Sequence, residues 1–214
     1  MPEPHDRIIA RAAKVALEPL KFSRKGRSRL WFADQGWWLT VVEFQPSGWS
    51  KGTYLNVAAH WLWSDNGHLS FDFGDRAAGF EEYVSDEQFA VAASRLADRA
   101  ASEAQRLAQV LIPLSATADV LLDAAQAMHE QGRIGWMTYH AGVAAGLVNR
   151  SAEATEMFEH ITSSSAPPSS NLLPAAERMA RIVSEPSGFR REVSSRIERQ
   201  RRALGLTTLD TPPI

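Results

Sequence analysis

The chain has 214 residues, 44% of them hydrophobic, with a formal net charge of −2 and no cysteine. Its length fits one large domain or two small ones, and its apolar fraction is that of an ordinary globular protein with its own core. The balanced charge gives no global pull toward nucleic acid or an anionic membrane, and the missing cysteine excludes disulfides, thiolate catalysis, iron–sulfur clusters and cysteine-ligated zinc.

The N-terminal stretch MPEPHDRIIARAAKVALEPL carries acidic residues and lacks a long apolar run, so it does not read as a secretory signal. No stretch approaches the roughly 20 apolar residues that span a bilayer, so a cytoplasmic location and no membrane are expected. A helix is expected from about His5 to Leu20, on the stripe Ile8, Ile9, Ala12, Val15 and Ala16, with Pro19 closing the run. Five basic residues follow between Lys21 and Arg29.

Four strands come next, at about Ser28–Ala33, Trp37–Phe44, Thr53–Trp63 and His68–Phe73. Six of the seven tryptophans lie between Trp31 and Trp63. Short connections predict antiparallel hairpins for the first and last strand pairs. In the last pair the apolar residues Leu55, Val57, Ala59, Trp61, Trp63, Leu69, Phe71 and Phe73 are all odd-numbered. Opposed residues share a face, so paired numbers must sum to an even value. An Asn66-Gly67 turn violates that rule. A loop of Asp65, Asn66 and Gly67 obeys it, pairing Ser64 with His68, with Gly67 left-handed. That register sets Trp61 opposite Phe71 on the buried face and His60 opposite Asp72 on the other.

Ser85 and Gln88 make a capping box before a helix from about Asp86 to Ile112, whose stripe through Phe89, Ala93, Leu96, Ala100, Leu107 and Leu111 suits packing on the sheet. After Pro113, helices are expected at about 118–131, 135–148 and 151–161, with left-handed caps at Gly132 and Asn149. The segment from Ile134 to Ile161 has the small-residue look of a tetratricopeptide hairpin, but one pair is ordinary helix packing. A linker is expected at 162–171, then helices at about 173–184 and 187–204, and a flexible tail at 205–214. The fold expected is α+β. A four-stranded antiparallel sheet with flanking helices (1–114) precedes a mainly helical C-terminal region (115–204).

The segment from Leu17 to about Tyr83 resembles the family called domain of unknown function 4304. The resemblance rests on LEPLKFSRKGRSRLWF, with Phe22, Lys25 and Gly26 matching and Lys21 standing where the family usually has glycine. It continues through Phe44-Gln45-Pro46-Ser47, Tyr54-Leu55-Asn56 and Gly74-Asp75-Arg76. It implies an architecture for the first half of the chain and no catalytic activity.

No P-loop, dinucleotide fingerprint, HExxH or nucleophile elbow is present, and the histidines do not converge by spacing, so neither metal nor cofactor is expected. One constellation carries candidate chemistry. His60 against Asp72, with Asn56 nearby, would make a general base oriented by a carboxylate. A cross-strand polar pair explains the same residues without catalysis. Arg24 and Lys25, in the basic segment beside Trp31, Trp37 and Trp38, would suit single-stranded nucleic acid by phosphate contact and stacking. A solvated loop beside buried aromatics is the competing account, and the acidic balance favours it. The arginine-rich helix near the C-terminus is expected to dock on its own protein. Trp38, Trp49, Gln45 and Asn56 complete the candidate binding residues, and Trp49, in the Pro46–Gly52 loop, fits an interface anchor. The first functional expectation is a non-enzymatic module binding a partner protein, such as a toxin in an immunity-type pairing, through an aromatic sheet face and loop. A homo-oligomer is also allowed. An enzyme using His60 and Asp72 is the alternative.

Overall fold

The computed structural model describes residues 3–164, 171–209 and 214, so residues 165–170 of the expected linker and 210–213 of the expected tail lie outside the described residues. The chain divides into two compact units: Met1–His60 with Ser70–Gln109, and Trp61–Leu69 with Val110–Ile214.

The first unit is α+β. Helix α1 (Pro4–Leu17) begins on a proline, whose missing N–H breaks no helical bond there. It buries His5, Ile9, Ala13 and Leu17, one residue per turn. A 3-10 turn at Glu18–Leu20 and a left-handed Lys21 at φ 64° end it. Five strands follow, one more than expected: β1 (Ser23–Arg24), β2 (Leu30–Asp34), β3 (Trp38–Gln45), β4 (Gly52–Trp61) and β5 (Phe73–Glu82). They form an antiparallel meander in that order, each strand bonded to its chain neighbour. Trp31 opposes Val42 and Ala33 opposes Thr40, so the even residues of β3 share the face of Trp31. That face is the core. Trp31, Ala33, Val42, Phe44, Leu55 and Val57 cluster with Ile9, Ala13 and Leu17 of α1 and with Phe89, Ala93 and Leu96 of α2 (Asp86–Leu111). The Gln88 N–H donates to Ser85 Oγ at 3.2 Å, capping α2 as the sequence motif requires.

The strand expected at His68–Phe73 is not one. β4 ends at Trp61, a 3-10 turn covers Leu62–Ser64, Asp65 turns left-handed at φ 51°, and the last strand begins only at Phe73. The pairing of Ser64 with His68 therefore does not form, and Phe71 is 41% exposed rather than packed opposite Trp61. The physical reason is aromatic. Trp61 and Trp63 stack at 5.1 Å and 8°, whereas a straight strand would hold alternate residues about 7 Å apart. β5 escapes pattern reading because its ladder needs glycine. A Cβ on Gly74 would sit 2.4 Å from Val57 O, and one on Gly52 would sit 2.2 Å from Glu81 O.

The second unit holds α3 (Leu114–Glu130), α4 (Trp136–Leu147), α5 (Ser151–Thr162), α6 (Leu172–Ala180) and α7 (Pro186–Leu204). Left-handed Gly132 (φ 69°) and Asn149 (φ 63°) follow α3 and α4. α4 is buried continuously from Thr138 to Leu147. Its glycines admit neighbouring rings: a Cβ would lie 2.7 Å from Phe158 at Gly142 and 2.5 Å from Phe189 at Gly146. α7 docks on its own unit by the fully buried Phe189, Val193 and Ile197. It also clasps the turn after β4. Arg199 pairs with Asp65 at 2.7 Å, and the Gln200 amide accepts from the Gly67 N–H at 2.8 Å and donates to Asn66 Oδ1 and His68 O at 2.9 Å. No single helix among the described residues is long and apolar enough to cross a membrane.

Candidate functional site

At the far end of β4, His60 and Asp72 do meet, though through an irregular loop rather than a ladder pair. His60 Nδ1 lies 2.8 Å from Ser70 Oγ and 3.1 Å from Asp72 Oδ2, and the Asp72 N–H donates to Ala59 O at 2.9 Å. A histidine base needs one nitrogen oriented by its carboxylate and the other offered to substrate. Here hydroxyl and carboxylate address the same nitrogen, and the residue is 0% exposed. The arrangement ties residues 70–72 to the strand.

At the near end of β4 the same strand displays a polar network. The Asn56 amide donates to Glu43 Oε2 at 3.1 Å and to Gln45 Oε1 at 3.0 Å. Arg76 donates to Gln45 Oε1 at 3.2 Å while its guanidinium lies 4.1 Å over the Tyr54 ring, which in turn packs on Phe80 at 5.1 Å. Asn56, Tyr54, Glu43 and Gln45 are all half-buried. Asn56, Arg76, Ala58 and the exposed Phe71 line an open cleft of about 560 Å³. The sequence could not place Arg76 or Phe80 here, since β5 was unread.

Next to Gln45 the chain leaves β3 for the loop that carries Trp49, 98% exposed. The loop is braced. Ser47 Oγ accepts from the Trp49 N–H at 3.1 Å and the Ser50 N–H at 3.4 Å, and Lys51 O accepts from the Tyr83 N–H at 2.9 Å. Beneath it, Arg29 donates to Gly52 O at 2.9 Å and to Asp6 Oδ1 at 2.6 Å, and Lys51 pairs with Glu3 at 2.9 Å. That contact holds the Glu3 carboxyl below its ordinary pKa.

Trp38, expected to share this surface, is fully buried instead. β3 is buried on both faces from Trp38 to Val42, so alternation could not assign its side. The basic segment also changes meaning. Arg24 spends its guanidinium on Ser28 O (2.6 Å) and Arg27 O (3.0 Å), holding its own turn. Lys25 is exposed, but Trp31, Trp37 and Trp38, the rings expected to stack a base, are all buried. Away from the sheet, His129 and His160 stack at 4.0 Å, a contact that spacing could not reveal. Among the described residues no three histidine, aspartate or glutamate side chains converge as a metal site. No family model, curated protein or solved structure matches the chain.

Proposed function

We propose that the chain is a non-enzymatic protein-interaction module acting in the cytoplasm. Its contact surface is the Trp49 loop together with the network of half-buried Gln45, Asn56 and Tyr54 and exposed Arg76. The observation that carries this reading is Trp49 itself, almost wholly in solvent on a loop whose backbone is already tied down. A large apolar ring in water gains most when a partner's pocket covers it, and a braced loop has little ordering entropy left to lose. The network beside it offers polar rim contacts around that anchor. The resemblance of residues 17–83 to the domain of unknown function 4304 family belongs to the same reading and adds architecture alone.

A photo-crosslinking amino acid at position 49, introduced into the full chain in its own cell, tests this. One discrete cross-linked protein is expected from position 49, lost when Arg76 and Gln45 are replaced by alanine, and not captured from Arg106 on the exposed side of α2. Equal products from both positions, or none from position 49, reject the proposal.

A further inference from the structure

We infer that the chain forms a twofold-symmetric dimer through the outer face of α1 and α2, a surface separate from the Trp49 loop. Between these helices runs a groove of about 640 Å³ with an apolar floor that includes Ile8, Ala12, Ala90 and Ala97. Val15, on its lip, is 73% exposed, and Val91, one turn beyond Glu87, is 69% exposed. An apolar floor with an exposed valine on its lip suits a surface that another protein covers.

The charges choose the occupant. Arg7 and Arg11 line the α1 side of the groove, and Asp86, Glu87 and Asp98 line the α2 side. Arg7, Arg11, Glu87 and Asp98 make no ion pair among the described residues, while Asp86 accepts a hydrogen bond from Tyr83 at 2.6 Å. The two helices also start at the same end of the groove, since His5 lies 5.4 Å from Tyr83 and 6.3 Å from Phe89. A twofold axis along the groove therefore lays α1 of one copy over α2 of the other with their starts aligned. Each cationic ridge then meets an anionic ridge, twice, around a shared floor of isoleucine and alanine. A second copy supplies this complementarity without any further requirement, because an isologous interface matches a surface to itself. An unrelated helix would need the opposite charges on both its flanks.

Sedimentation of the full chain tests the inference. Wild type should run at twice the 23.6 kDa chain mass, with association weakened by salt. Arg7→Glu with Arg11→Glu makes both contacts repulsive, as does Glu87→Lys with Asp98→Lys. Each variant alone should dissociate about tenfold more readily or more, because like charges face each other. Mixed one to one, the two variants should form a heterodimer, since both contacts become attractive again. All four positions are exposed, so the fold should be retained, and circular dichroism checks this. A wild-type chain that stays monomeric at its highest soluble concentration overturns the inference. So does a dimer indifferent to both charge reversals, or a mixture that fails to pair.

Discussion

The two ends of β4 carry the residues that look most chemical, and they use them in opposite ways. At one end His60 is enclosed, with Ser70 and Asp72 gathered on a single ring nitrogen. At the other, Trp49 stands in water on a braced loop, and Asn56 and Arg76 both donate to Gln45, where the chain leaves β3 for that loop. The sequence allows His60 with Asp72 to be a catalytic pair or a cross-strand polar pair and offers Trp49 as an interface anchor. Burial encloses the first and leaves the second in water. Enclosure weighs against reaction at His60, and exposure leaves the Trp49 ring open to a partner.

The largest test removes what holds the chain just past the enclosed end. Truncation before Pro186 deletes Phe189, Val193 and Ile197, each fully buried, and the clasp of Gln200 on Gly67 and His68. Burying such side chains contributes about 1.5–3 kcal/mol each, against total stabilities of about 5–15 kcal/mol. The helical unit should lose its cooperative thermal transition; an unaltered melt would mean α7 is an appendage. His60→Ala comes next. It empties a buried site and removes the ring that Ser70 and Asp72 share, costing about 2–4 kcal/mol in urea unfolding. A midpoint unchanged from wild type would reopen the question of what His60 is for.

The contrast between the ends also explains which parts of the fold could be read from sequence. Helices with a stripe and a cap were readable: Ser85 and Gln88 mark the start of α2, and Gly132 and Asn149 mark two stops. The meeting of His60 with Asp72 follows the parity register, which β4 and β5 keep at Val57–Asp75, Ala58–Gly74 and Ala59–Phe73; the ladder stops there, and Trp61 stacks on Trp63 instead of opposing Phe71. β5 was invisible because FGDRAAGFEE has no alternation, only glycines that let backbones approach. Trp38 was misplaced because a strand buried on both faces has no polar side to betray its register. Trp49 was recognised as unplaceable by periodicity, and that was the useful signal: a residue no repeat can bury is free to be outside.

A smaller effect is expected at the open end. Trp49→Ala should alter stability by no more than about 0.5 kcal/mol, as for an exposed side chain with no buried contacts. Trp49→Phe should instead change the optics. Of the other six tryptophans, five are buried and Trp136 is 36% exposed. The native emission should shift to shorter wavelength and most quenching by iodide should vanish. Retained quenching would show that Trp49 is covered, and the contrast between the two ends would fail.

The smallest effect concerns the support beneath that loop. At the start of α1, Glu3 pairs with Lys51, and Asp6 pairs with Arg29, which donates to Gly52 O; His5 lies between Glu3 and Asp6 in the chain, buried against Tyr83 and Phe89. Burial, and then the nearby Arg29 charge, lower the His5 pKa below its ordinary value of 6.5. Its Nδ1 has no hydrogen-bond partner among the described residues, as suits a ring kept neutral. A histidine with a lowered folded-state pKa binds fewer protons folded than unfolded. Stability is therefore undiminished above the ordinary value and falls as pH drops below it, because only the unfolded chain protonates freely there. Melting temperatures of wild type and His5→Gln, compared from about pH 7.5 to about pH 5, isolate this group from the other histidines. Wild type should lose stability relative to the variant as the solution is acidified. A constant difference would mean that His5 accepts its proton in place, and that the open end of β4 rests on a firmer base than its burial implies.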